Sequence, residues 1–185
     1  MNHILKQLTT SLFLSSLLLA PRLALAQPPR PGLQQQAETA QKLEQYPQAE
    51  SLWQEVIRQH PTSAEAYYNL GLSLHHQLKL DQAIDAYQNA TRLNAQYGSA
   101  YVNLGLAWMQ IGKYDEAKTA FEKAIASPNQ SVDPANTHTL AHYNLAILLK
   151  RQGKQEAALQ ETQKALALTP KFGLAQELLE QIKND

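Results

Sequence analysis

The chain has 185 residues, no cysteine, and equal numbers of basic and acidic residues, 16 of each. The segment 1–26 contains Lys6 and Arg22 and no acid, so residues 27–185 carry 14 basic and 16 acidic side chains, a net charge of about −2. This length allows one domain with a modest core. The charge gives no electrostatic reason to expect nucleic acid or an anionic membrane surface as a partner. The lack of cysteine excludes disulfides, thiolate metal sites and a cysteine nucleophile.

The segment 1–26 has the pattern of an export signal. Lys6 precedes an apolar run at residues 8–20, and the Ala-Leu-Ala of residues 24–26 is a small-x-small cleavage pattern. The run is shorter than the roughly 20 residues that a membrane-spanning helix needs. We therefore expect cleavage after Ala26, export to the periplasm or an equivalent compartment such as the thylakoid lumen, and no membrane span afterwards. The alternative is an uncleaved signal that anchors the protein in the membrane.

After a short proline-rich linker at residues 27–32, the sequence repeats itself with a period of about 34 residues. Four residues of one unit, Tyr67, Asn69, Leu70 and Gly71, recur as Tyr101, Asn103, Leu104 and Gly105. Within a unit, apolar residues step by four, which is a helical period. A helix–turn–helix unit of this length cannot bury its apolar face alone, so copies must stack on one another into a solenoid.

The repeat register divides residues 33–183 into four units and a cap. It places repeats at about residues 30–63, 64–97, 98–131 and 139–172, an insertion at 132–138, and a capping helix at 173–183. The first repeat is a degenerate copy. The step before the fourth repeat is longer than the others, since Asn103 recurs as Asn144, and two prolines among small polar residues interrupt the register at residues 127–134. We expect a loop here, and we expect its part around Asn129 to Asp133 to touch no core position.

The two best-formed units carry the residues of a known family. They read Tyr67-x-x-Leu70-Gly71-x-x-Leu74…Ala83…Tyr87…Ala90 and Tyr101-x-x-Leu104-Gly105-x-x-Trp108…Ala117…Phe121…Ala124. This pattern resembles the tetratricopeptide repeat, and the resemblance extends over about residues 30–183. The fourth unit departs from it at His142 and Thr162, which occupy places that are normally large and apolar. The resemblance implies an all-α, right-handed superhelical solenoid whose members are protein-binding scaffolds without shared chemistry.

In this family the first helix of each pair lines a concave groove, so the register predicts which side chains face it. From the second repeat onward the middle row is wholly aliphatic, and tyrosine and methionine flank it. The predicted groove residues are Tyr68, Leu72, His75, Val102, Leu106, Met109, Tyr143, Ile147 and Lys150. Such a surface suits an apolar or amphipathic segment of a partner protein. The alternative is that Leu72, Leu106 and Ile147 pack against the neighbouring helix.

Other kinds of site find little support in the sequence. The family's clamp for a terminal carboxylate needs lysine and asparagine at positions that here hold one asparagine and no cation, so that clamp is absent. We interpret Asn69, Asn103 and Asn144 as residues that hydrogen-bond between helices. His138 and His142 are spaced to share a helical face, as in some metal sites, but no third ligand is evident nearby. We predict no catalytic residues, no metal and no cofactor.

The sequence thus predicts an exported, non-enzymatic scaffold or adaptor that binds segments of partner proteins in its groove, with a role in envelope or complex assembly. The alternative is an accessory subunit of an envelope enzyme that recognises a small ligand or a glycan. That function requires several converging polar donors in the groove, and the aliphatic row argues against it.

Overall fold

The computed structural model describes residues 32–184, and within this range it consists of helices and one short strand pair. The helices are α1 (Leu33–Lys42), α2 (Tyr46–Gln59), α3 (Ala64–His76), α4 (Leu80–Leu93), α5 (Gly98–Gln110), α6 (Tyr114–Ala126), α7 (Thr137–Arg151), α8 (Gln155–Leu168) and α9 (Gly173–Asn184); the strands are β1 (Ser131–Val132) and β2 (Ala135–Asn136). In this part of the chain no helix is long and apolar enough to cross a membrane. The predicted signal and residues 27–31 of the predicted linker lie outside the described residues.

Successive helices pack in order along the chain, each against the one before and the one after it. In addition, the first helices of neighbouring pairs contact each other directly, α3 with α5, α5 with α7 and α7 with α9. Close packing along this side bends the stack, so the first helices form the inner, concave layer and the second helices form the outer layer. The all-α superhelical solenoid predicted from the repeat period is confirmed.

Residue size explains why glycine recurs in the middle of the first helices. A Cβ atom on Gly71 would lie 2.5 Å from the Tyr87 ring, and one on Gly105 would lie 2.5 Å from the Phe121 ring. Both rings are fully buried, so the two helices of each pair approach closely only because glycine has no side chain. In the fourth repeat the register places Ala146 opposite Thr162, and both residues are fully buried.

The turn between the two helices of each pair contains one residue with a left-handed backbone. The φ angle is 58° at Glu44, 59° at Leu78, 78° at Gly112 and 71° at Gly153. Glycine adopts this conformation at little cost, whereas a residue with a Cβ is strained there. The Leu78 side chain is also 77% exposed, so the second repeat holds a strained leucine at its surface.

The core is continuous from the second repeat to the cap. Its largest cluster takes residues from every helix between α3 and α9, while the first repeat has a smaller cluster of its own around Trp53. Trp53 is almost completely buried, and its Nε1 donates a hydrogen bond to Gln41 Oε1 at 2.9 Å. This satisfied indole lets the degenerate repeat keep a large buried side chain.

The insertion differs from the expected loop. β1 and β2 pair antiparallel, with Ser131 opposite Asn136 and Val132 opposite Ala135, and α7 begins at Thr137, inside the segment assigned to the insertion. Thr137 is fully buried. The segment expected to touch no core position, Asn129 to Asp133, is exposed or partly exposed, and the buried residue follows it at the start of α7.

Candidate binding groove

Four of the predicted groove residues surround one cavity on the concave face, which we call the central cavity. Tyr68 and Leu72 of α3 and Val102 and Leu106 of α5 line it, and its volume is about 280 Å³. Leu72 and Leu106 pack against the core yet remain partly exposed, while Val102 is only 4% exposed and lies at the floor. A spacing of one full repeat therefore brings the two leucines side by side on adjacent helices, with apolar atoms facing the groove.

A polar contact crosses the same wall between α3 and α5. Asn103 Nδ2 donates to the Tyr68 hydroxyl oxygen at 3.3 Å and to the Ser99 carbonyl oxygen at 3.0 Å. Burial raises the pKa of Tyr68, and the Asn103 hydrogen bond offsets only part of this effect, so the phenol is neutral at neutral pH. Asn103 thus hydrogen-bonds between helices, as predicted. Asn144, by contrast, donates to Leu140 within its own helix.

A second cavity adjoins the central cavity and shares Leu72, Asn103 and Leu106 with it. It adds His75 and Leu78 and has a volume of about 410 Å³. Burial lowers the pKa of His75, and the neighbouring His76 lowers it further, against the opposing effect of a hydrogen bond with Gln110. His75 is therefore neutral at neutral pH, and it extends the groove without adding a positive charge.

Three further predicted residues lie in a separate C-terminal cavity between α7 and the capping helix α9. Tyr143, Ile147 and Lys150 line this cavity of about 470 Å³ together with residues of α9 that include Leu174 and Glu177. Burial raises the pKa of Tyr143, and the charge of Glu177 adds to this effect. The cap therefore continues the concave face, and the nine predicted residues do not converge on one point.

Met109 is the predicted groove residue that lines none of the three cavities on the concave face. Its side chain is only 8% exposed and belongs to the main core cluster. By register it lies on a groove helix, and like Val102 it is almost completely buried there.

The hairpin contributes two residues that the sequence analysis missed. Val132 and Asp133 line the central cavity together with Leu72 and Leu106, so the insertion folds back over the groove. The signal available in the sequence was the position of the insertion, directly before a groove helix. Which way the inserted hairpin folds depends on its contacts with other parts of the chain, and the sequence pattern does not show these contacts.

The opposite face carries a larger cavity, which the sequence analysis also missed. Residues of α4, α5 and α6 enclose about 540 Å³, and they include Tyr101, Trp108 and Lys123. Lys123 Nζ lies 5.7 Å from the centre of the Tyr101 ring, which is a cation–π distance. This outer cavity is lined by charges of both signs, namely Arg92 and Lys123 as well as Asp115 and Glu116.

The two histidines considered for metal binding have separate partners. His138 Nε2 lies 2.7 Å from the Ser127 carbonyl oxygen, whereas His142 Nδ1 lies 2.6 Å from Glu161 Oε2. Burial alone would raise the pKa of Glu161, but hydrogen bonds from His142 and Lys164 outweigh burial and lower it. Among residues 32–184 no group of three or more histidine, aspartate and glutamate side chains could hold a metal ion.

Comparison with known proteins agrees with this architecture. Three profiles described as Tetratricopeptide repeat match the chain, one at residues 32–63, one at 64–97, and one at both 98–127 and 139–172. The unmatched residues 128–138 contain the hairpin. A comparison with curated protein sequences found no match.

Solved structures with the same fold are similar over most of the chain. The crystal structure of MamA has a TM-score of 0.69 at 20% identity and covers 80% of this chain and 82% of its own. TTC0263, a thermophilic TPR protein in Thermus thermophilus, has a TM-score of 0.67 at 21% identity over 83% and 80% of the two chains. YrrB, a TPR protein with an unusual peptide-binding site, has a TM-score of 0.67 at 23% identity over 78% and 71%. These likenesses concern the fold.

Proposed function

Because the chain belongs to the tetratricopeptide repeat family, whose members are commonly protein-interaction scaffolds, we propose that it binds a segment of a partner protein in its concave groove. The observation that carries this proposal is the central cavity, where Leu72 and Leu106 lie on adjacent helices and keep part of their apolar surface exposed. The bound segment is apolar or amphipathic, since aliphatic side chains dominate this part of the groove. One of the structurally similar proteins, YrrB, is described as a TPR protein with an unusual peptide-binding site.

The groove favours a protein segment over a small polar ligand. Around the central cavity, the amides of Asn103 and Asn144 already donate within the protein. A sugar or a charged metabolite needs several free polar groups that point to one place, whereas an amphipathic segment needs a continuous apolar strip with a polar rim. In this proposal the protein binds its partner and catalyses no reaction.

The proposal places this binding outside the cytoplasm. It rests on the basic start, the short apolar run and the Ala-Leu-Ala of residues 24–26. N-terminal sequencing of the protein isolated from its host's envelope fraction should read Gln27-Pro28-Pro29. An intact Met1 on a membrane-bound product would instead indicate an anchor.

Groove binding is tested with the double variant Leu72→Ser, Leu106→Ser. A fully buried leucine contributes roughly 1.5–3 kcal/mol of transfer free energy, and association must also overcome the cost of ordering the partner. Loss of both side chains should therefore weaken partner capture at least tenfold, while circular dichroism still shows a helical protein. Partners would be captured from the native envelope fraction on immobilised protein and identified by mass spectrometry.

The matched control is Leu43→Ser, Leu168→Ser. These leucines are 63% and 44% exposed and lie at a turn and at the end of α8, so the control removes the same amount of apolar side chain away from the groove. It should capture the same partners as the wild-type protein. If the folded groove variant also does so, the central cavity is not the binding surface.

A further inference from the structure

Hydrogen bonds connect the hairpin between α6 and α7 to the rest of the protein. The Thr137 backbone N–H donates to the Gln130 carbonyl oxygen at 2.9 Å, and the Gln130 N–H donates to the Thr137 hydroxyl at 3.0 Å. Asn129 Oδ1 accepts from the Thr137 hydroxyl and from the His138 N–H, each at 3.2 Å. Because Thr137 is fully buried, these bonds connect both ends of the hairpin to the core.

A second contact fixes the hairpin over the concave face. The Ser99 hydroxyl at the start of α5 donates to Gln130 Oε1 at 3.3 Å. From this position Val132 and Asp133 reach the cavity that Leu72 and Leu106 also line, although the two pairs are far apart in the sequence. Val132 therefore adds an apolar group to the groove wall, while Asp133 is exposed.

Asp133 is the single charged side chain among the described residues that line the central cavity. Its carboxylate forms no ion pair with any residue in the range 32–184. The other polar groups around this cavity are neutral hydroxyls and amides. The cavity therefore combines an apolar strip with one negative charge that no described residue pairs. A bound segment with an apolar and a positively charged side chain would match both the strip and the carboxylate.

We propose that the hairpin is the element that selects the partner: Val132 completes the apolar strip, and Asp133 selects a segment in which a lysine or arginine accompanies aliphatic residues. This inference rests on the proposed function of the groove and adds the chemistry of the bound segment. A long basic side chain lays its methylene stem along the leucines and extends its charged end to the carboxylate. A segment with an acidic residue at that place is rejected by like charge.

The experiment selects ligands without assuming the partner. A phage-displayed library of short random peptides is panned on purified wild-type protein and, in parallel, on Asp133→Asn and Asp133→Lys. Peptides selected by the wild type should carry aliphatic residues with a lysine or arginine, and those selected by Asp133→Lys should carry an acidic residue in its place. Asp85→Lys is the matched control, because it changes the net charge equally on an exposed part of α4.

Selected peptides are then synthesised with either lysine or alanine at the position where the selection favoured a basic residue. The affinity of each protein variant for these peptides is measured at low and at high salt. Exposed ion pairs contribute about 0.2–1 kcal/mol, which corresponds to as much as a fivefold preference for the lysine peptide. Wild-type protein should show this preference, Asp133→Asn should lose it, and Asp133→Lys should reverse it, whereas Asp85→Lys should behave like wild type. High salt should reduce the preference.

The possible failures are distinct. Peptides that require Leu72 and Leu106 but bind Asp133→Asn as tightly as wild type, with no basic residue selected, would overturn the inference and leave the groove function intact. If the wild-type protein selects no peptide, or only peptides that the groove double variant binds equally well, the proposed function fails and the inference with it.

Discussion

The close approach of α5 and α6 at Gly105 provides a sharp test of how the helix pairs pack. The substitution Gly105→Ala adds one Cβ atom that would lie 2.5, 2.7 and 2.9 Å from three carbons of the Phe121 ring. Ordinary contacts between such atoms begin near 3.4 Å, so the ring or the helix must move by about 1 Å to accommodate the methyl group. The ring is 0% exposed, so it cannot move without displacing other buried groups.

Two opposing effects set the size of the change. Alanine is favoured over glycine inside a helix by about 1 kcal/mol. Adding a methyl group to a tightly packed core costs typically about 1–3 kcal/mol. Because the contact distance here is far below van der Waals contact, we expect the packing cost to exceed the propensity gain and the net loss to be about 1–2 kcal/mol. In a chain of this size such a loss lowers the melting temperature by about 2–8 °C.

Thermal unfolding followed by circular dichroism measures this loss. The matched control is Gly173→Ala at the start of α9, where a Cβ would meet no atom within 4 Å; its melting temperature should stay the same or rise. Replacing Phe121 by leucine removes the ring edge, so Phe121→Leu should cost less in the Gly105→Ala background than in the wild type. If Gly105→Ala is as stable as wild type, the ring moves freely and the close approach does not require glycine.

Further predictions concern a turn, the hairpin and a partly buried carboxylate. Gly112→Ala should cost about 1 kcal/mol in chemical denaturation although its Cβ would meet nothing within 4 Å, because φ is +78° there; an unchanged midpoint would contradict this. Asn129→Ala should lower the melting temperature by about 2–4 °C, because Thr137 loses one hydrogen-bond acceptor; an equal melting temperature would mean that the hairpin is not coupled to the core. Glu161→Gln should be less stable than wild type at pH 7, because the pKa of Glu161 is lowered on folding by its hydrogen bond with His142. A carboxyl with a lowered folded pKa stabilises the fold above its unfolded pKa, and this contribution is lost as the pH falls through the folded value, so the two melting curves should converge below about pH 4.

Several features of the groove were predictable because they depend only on repeat spacing. Leu72 and Leu106 lie on adjacent helices at the same phase, since one full period of a regular repeat separates them. The same spacing placed Tyr68 and Val102 on the same wall. Whether these side chains bind a partner stays a prediction.

Other features depended on neighbours that spacing does not describe. Met109 occupies a groove position by register but is buried in the main core cluster. His142 departs from the family pattern at an apolar position, and its compensation is Glu161 on the next helix. Such contacts depend on how two helices are rotated about their axes, which the periodicity of either helix alone leaves open.

The sequence by itself determined the helical repeat, the close-approach glycines and the aliphatic row, because each follows from local periodicity and from the volume available at a helix crossing. The tertiary structure alone decided where the insertion goes. Residues 128–138 lie between two matched repeats, and hydrogen bonds to Thr137 and to Ser99 hold the hairpin that they contain. The bond to Ser99 joins residues that are 31 positions apart in the sequence, which is why the position of Asp133 in the groove was not readable from the spacing of residues.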